Sequence, residues 1–146
     1  MKIAIGADHR GFLFKEILKK HSNLAGHYIQ WIDVGAFDAQ RSDYPVFVDA
    51  VCKKLQAGQA DLGVLLCGSG VGMSIAANRN TGIYAALVWN EAVAKQSRQD
   101  DKANVLVLPA DYITEPEMLC IVTAWLSAHF KGGRYQERIA MIDAGK

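Results

Sequence analysis

A thiol and a hydroxyl stand inside one glycine-rich stretch, Cys67-Gly68-Ser69-Gly70-Val71-Gly72. Glycines at 68, 70 and 72 let the backbone turn sharply and keep Cβ atoms away from any anion that approaches the amides. A thiol beside such amides is suited to act as a nucleophile or base, and the amino terminus of a following helix is expected to lower its pKa. The stretch is no Walker A loop, which needs four residues between its glycines and then Gly-Lys-Ser/Thr. It is no dinucleotide fingerprint either, because its spacing is G-x-G-x-G and its strand is not the chain's first. Taken alone, it reads equally well as a tight strand-to-helix turn with a buried, inert cysteine.

Two further groups carry chemistry. Asp8-His9-Arg10 brings a carboxylate and an imidazole together; its local alternative has Asp8 capping the first helix and His9 in solvent. Arg134 and Arg138 are four apart, so on a helix they share a face one turn apart and grip a phosphate or carboxylate as two forks. The alternative for this pair is a solvated face with Glu137 nearby.

The elements that must position these residues follow from hydrophobic periodicity. Residues 62–66 form a short, wholly apolar run, as a central strand of a parallel sheet requires, with helices on both of its faces. Further strands are expected over 2–7, 28–34, 83–89 and 104–108. Helices are expected over 10–21, 44–58, 71–78, 91–98 and 115–130, with a last one over 135–144 after Gly132-Gly133. Strand and helix alternate throughout, with no linker or internal repeat. The expectation is one α/β domain over 1–146, a three-layer sandwich whose five-stranded parallel sheet runs in the order 2-1-3-4-5 with helices on both faces. The C-terminal helix is too short to pack alone, so it docks on its own domain or crosses to a partner subunit. In such sheets ligands sit beyond the carboxyl ends of the strands, at the switch point between the first and the third. Asp8-His9 ends the first strand and Cys67-Gly68-Ser69 ends the third. A carboxylate, an imidazole, a thiol, a hydroxyl and a set of amides are therefore expected to share one crevice.

Composition sets the outer limits. At 146 residues, 51% hydrophobic and 21% charged, the chain suits a globular domain with a sizeable core. A net charge of +1, with basic residues scattered, supplies no electrostatic reason to expect nucleic acid or a membrane surface. The three cysteines, Cys52, Cys67 and Cys120, show no CxxC and no local histidine pair, so neither a disulfide framework nor a metal site is suggested. The opening MKIAIGADHRG reaches charge and glycine too soon for a signal peptide, which points to a cytoplasmic protein.

Five motifs in order, GADHRGF at 6–12, SDYP at 42–45, LLCGSGVGMSIAANR at 65–79, SRQ at 97–99, and GGR at 132–134 followed by Arg138, resemble the type B ribose-5-phosphate isomerases and the related galactose-6-phosphate isomerase subunits. The resemblance runs end to end. It implies a Rossmann-like homodimer, with tetramers an open alternative, whose active sites lie at the subunit interface. It also implies the interconversion of an aldose phosphate and its ketose without metal or organic cofactor. Carried over by position, Cys67 is the base that moves a proton between carbons 1 and 2. Asp8, His9 and Ser69 handle the sugar oxygens and ring end, and Tyr44 contacts substrate. Gly68, Ser69, Gly70, Val71 and Gly72 hold the enediolate, and Arg134 with Arg138 binds phosphate.

The departures from the family pattern bear on the substrate. Ribose-specific members carry a ring-opening histidine after Ser-Arg-Gln, where this chain has Asp100 and Asp101. A family arginine near the end of the fifth strand is matched by Asp111, and Tyr135 stands where a histidine is common. Loss of a cation and gain of carboxylates beside a phosphate site weakens binding unless those groups turn away or are protonated. Either Asp100 replaces the histidine as proton shuttle, with Asp101 against the substrate, or the substrate needs no ring opening. Ribose 5-phosphate is the first expectation, a tetrose phosphate or galactose 6-phosphate the alternatives, and a non-catalytic sugar-phosphate-binding protein the alternative of another class.

Overall fold

The computed structural model describes residues 1–145, so the single-domain reading extends to Lys146 outside the described residues. The main sheet is built from β1 (Lys2–Ala7), β4 (Gln30–Asp33), β5 (Leu62–Cys67), β6 (Ala85–Leu87) and β7 (Val105–Pro109), all parallel. A two-stranded antiparallel ribbon, β2 (Asn23–Leu24) and β3 (His27–Tyr28), precedes β4 and takes the first residue of the strand expected over 28–34. The helices are α1 (Phe12–Lys19), α2 (Tyr44–Gln56), α3 (Val71–Ala77), α4 (Glu91–Gln99), α5 (Glu115–Ser127) and α6 (Arg134–Ala144).

Side-chain alternation along the strands makes two cores. Ile3, Ile5, Val64, Leu66, Leu106 and Leu108 pack with Leu18 of α1 and with Met118, Ile121 and Trp125 of α5 on one face. Ala4, Leu65, Cys67, Val105 and Val107 pack with Val48, Val51 and Cys52 of α2 and Met73 of α3 on the other. Every residue of β5 is buried because strands flank it and helices cover it on both sides. Thr114 and Glu117 form a reciprocal capping box that starts α5, a device worth about 1 kcal/mol.

The α/β sandwich is as expected, but the strand order is β4-β1-β5-β7-β6. Counted along the main sheet this is 2-1-3-5-4, which corrects the expected 2-1-3-4-5. The cause lies in composition. Val105–Pro109 is wholly apolar and takes the interior place with two neighbours, whereas Ala85–Leu87 is short and half-buried and takes the edge. The chain therefore skips one position after β5 and returns to fill it. The exposed side of β6 is blunted by Asn78, whose amide donates to Ala85 O at 2.8 Å and accepts from Ala85 N at 2.9 Å. The C-terminal helix α6 docks on its own chain: Ile139 is buried, Tyr84 Oη donates to Asp143, and a cleft of 460 Å³ between them is lined by Ile83, Asp101 and Ile142.

Candidate active site

Ala7 and Leu66 are ladder partners, so Asp8 and Cys67 leave adjacent strands side by side, on strands about 4.8 Å apart. Pleating points them the same way. Asp8 continues the row of Ala4 and Gly6, and Cys67 that of Leu65, toward α2 and α3. Both are nearly closed over, at 6% and 5% exposure. Gly70 turns in the left-handed region (φ 77°), where glycine is favoured, and its amide donates to Cys67 Sγ at 3.1 Å.

The expectation of a lowered thiol pKa is corrected. Burial pushes the Cys67 thiol up, and the Asp8 charge adds to it; the amides of Gly70, Met73 and Ser69 pull down but do not prevail. Desolvation outweighs these few backbone hydrogen bonds because the sulfur sits in a core.

Around the thiol, strand-end loops close in. Asp8 Oδ1 accepts from the amides of Arg10 at 2.9 Å and Gly11 at 3.1 Å, so it does organise the turn into α1. His9 is not loose in solvent. Its amide donates to Ser42 Oγ at 3.1 Å and its Nδ1 accepts from Ser42 N at 3.3 Å, which leaves the neutral ring's proton on Nε2. Ser69 is exposed at the mouth, with its Oγ accepting from Val71 N at 3.4 Å. Tyr44 lies against the start of α3: a Cβ on Gly72 would meet its Cζ at 2.6 Å and its hydroxyl at 2.8 Å. Gly68 is bare for a similar reason, since Arg10 and Asp111 cover it.

Behind the crevice lies a charged brace. Lys15 is fully buried and donates to Asp33 Oδ2 at 2.6 Å and Glu16 Oε1 at 2.8 Å; Lys19 joins the same carboxylates. Burial pushes the Asp33 carboxyl up, but hydrogen bonds from Lys15, Lys19 and the Gly35 amide hold it below the usual range. Asp33 thereby fixes Gly35, and the 35–36 segment pairs with Ala7 immediately before Asp8.

The remaining candidates gather elsewhere. Lys131 donates to Asp100 Oδ1 at 2.7 Å, and Lys131, Arg134 and Arg138 surround the Tyr135 ring at 5.2, 5.0 and 5.7 Å. The Lys131 hydrogen bond holds the Asp100 carboxyl below its ordinary pKa. Partial burial and the Asp100 charge push Asp101 up, against Arg138. This cluster sits where α4 ends and the chain turns into β7, at the amino edge of the sheet, whereas Cys67 is level with Pro109 at the carboxyl edge. From Asn104 to Pro109 is about 16 Å of strand. Within one chain, then, Asp100, Asp101, Arg134 and Arg138 lie at the opposite edge of the sheet from the strand-end loops that carry Asp8, His9, Cys67 and Ser69.

Arg10, Lys131 and the Lys15 brace carried no assignment from the sequence. Arg10 stands inside GADHRGF and Lys131 beside GGR, but their partners lie 101 and 31 residues away, and periodicity cannot pair charges over such distances.

The ribose/galactose isomerase family model matches residues 3–142. The chain is similar to ribose-5-phosphate isomerase B of Escherichia coli, at 39% identity over 98% of this chain and 95% of that one. Among solved structures it is similar to a ribose 5-phosphate isomerase of Thermotoga maritima, with 43% identity, TM-score 0.93, and 98% and 97% of the two chains covered. It is also similar to ribose-5-phosphate isomerase B of Mycoplasma genitalium with bound ribulose-5-phosphate, with 40% identity, TM-score 0.90, and 99% and 95% covered. With a match that spans nearly the whole chain and a sheet superimposing on those enzymes, the chain belongs to the ribose/galactose isomerase family.

Proposed function

We propose that the chain is a cytoplasmic aldose-ketose isomerase that interconverts ribose 5-phosphate and ribulose 5-phosphate without metal or cofactor. The observation that carries this reading is the side-by-side exit of Asp8 and Cys67 from adjacent strands, facing one way beneath the loop amides. Removal of a proton next to a carbonyl needs a base in reach of the carbon and fixed donors for the oxygen that becomes anionic. Cys67 serves as that base, and the amides of residues 68–72 hold the enediolate. Ser69 passes the proton between the two sugar oxygens, while Asp8 and His9 orient the hydroxyls and Tyr44 closes the side. Arg134 and Arg138 take the phosphate from a second copy of the chain, because their own copy holds them at the far edge of the sheet. The site therefore belongs to a homodimer.

A second substrate reading is favoured by the Asp100–Lys131 pair. A carboxylate held ionised by an ammonium is a poor acid for opening a sugar ring. A tetrose phosphate with its terminal hydroxyl esterified forms no furanose and needs no such acid. A panel of aldose phosphates of four, five and six carbons, assayed for ketose formation, tests both. Fastest turnover of ribose 5-phosphate is expected; faster turnover of erythrose 4-phosphate moves the assignment to the tetrose, and binding without turnover of any of them overturns the enzyme reading.

A further inference from the structure

One charge pair at the crevice has no part in the roles above. Arg10 Nη2 donates to Asp111 Oδ2 in an ion pair between the loops after β1 and β7. The pair closes over Gly68, the residue after Cys67. A Cβ built there would stand 2.7 Å from Arg10 Nε, 2.8 Å from its Cζ and 2.6 Å from Asp111 Oδ2. The backbones are tied to the same place: Asp111 N donates to Gly68 O at 3.0 Å, and Arg10 N donates to Asp8 Oδ1 at 2.9 Å. Three strand ends thus hold one guanidinium against the loop that carries the thiol. Yet the side chains of Arg10 and Asp111 remain 58% and 31% exposed, and an ion pair so open to water contributes little to folding.

We propose that Arg10 is a substrate-binding residue, its guanidinium taking the phosphate of the sugar phosphate at the mouth of the Cys67 crevice, with Asp111 as the residue that positions it. The proposal rests on the isomerase reading and adds to it a phosphate-binding cation from the same chain as the base. Asp111 occupies one Nη2 hydrogen bond, and the planar guanidinium has further N–H groups with which to meet phosphate oxygens as a fork. Gly68 must lack a side chain for the guanidinium to lie where it does. Asp111 sets direction at the expense of strength, since its charge opposes an incoming dianion while its hydrogen bond keeps the long side chain from ranging.

The test compares wild type, Arg10→Gln, Arg10→Lys and Asp111→Asn in ribose 5-phosphate kinetics, with inorganic phosphate as competitive inhibitor. Calorimetric titration with inorganic phosphate is run on wild type and Arg10→Gln. Arg10→Gln is expected to raise KM and the phosphate inhibition constant about tenfold or more, the size of one charge-assisted hydrogen bond, with kcat within about threefold. Arg10→Lys recovers only part of this, because an ammonium is a point charge. Asp111→Asn, which keeps an acceptor for Nη2 and removes the charge that opposes the dianion, is expected to lower KM and the phosphate inhibition constant. An unchanged KM in Arg10→Gln, or a KM raised alike in Arg10→Gln and Asp111→Asn, overturns the proposal and makes the pair a loop brace. If wild type turns over no aldose phosphate, the isomerase reading fails by itself. The calorimetry then still decides for Arg10: weaker phosphate binding in Arg10→Gln supports it, and equal or absent binding in both proteins overturns it.

Discussion

Mixing two dead variants should restore activity, and by a predictable amount. Cys67→Ala removes the proposed base from one edge of the chain, and Arg134→Ala/Arg138→Ala removes the proposed phosphate grip from the other, about 16 Å of strand away. A general base contributes about 10²–10⁴ in rate, and each charge-assisted hydrogen bond about 1.5–3 kcal/mol, so each parent alone should fall below about 1% of wild type at low substrate. If a site draws its thiol from one subunit and its arginines from the other, a hybrid dimer has one site with both lesions and one with neither. Random exchange makes half of the dimers hybrid, and each hybrid keeps half of its sites, so the mixture should return about 25% of wild-type activity. The assay is ketose formation after the differently tagged variants are co-refolded, with tandem affinity capture to count hybrids. Purified hybrids that remain as inactive as the parents would refute a shared site and place the whole chemistry within one subunit.

Two other outcomes follow from the charges. Cys67 should be alkylated, by peptide mapping, with a pH midpoint above that of an ordinary thiol. Since burial and the Asp8 charge both favour the neutral thiol, Asp8→Asn should move that midpoint to lower pH, and a midpoint below the ordinary value in wild type would contradict the assignment. The Asp33 carboxyl has its folded-state pKa depressed, so it adds stability above the unfolded carboxylate pKa and that stability is lost as pH falls through the folded value. Asp33→Asn should cost about 3 kcal/mol in neutral urea melts, the low end for breaking a buried pair because Glu16 still holds Lys15, and should flatten the acid limb of the stability profile.

What the sequence determined by itself was whatever local pattern specifies. The apolar run at 62–66, the alternating strands and helices, and the glycine turn after Cys67 needed no partner to be read, because side-chain periodicity and backbone permissiveness act over a few residues. The switch-point rule then joined Asp8 to Cys67 across the sheet, since adjacency of the first and third strands follows from winding a parallel sheet. Tertiary structure alone decided the rest. The swap of the last two strands came from competition for the one interior place, which Val105–Pro109 won by its burial on both faces. The sign of the Cys67 shift came from how deeply the sulfur sits, a balance of desolvation against amides that spacing does not reveal. Arg10 with Asp111, and Asp100 with Lys131, found each other only because folding brings distant loops together. Charge acts through space and solvent exposure, and the order of residues along a chain records neither.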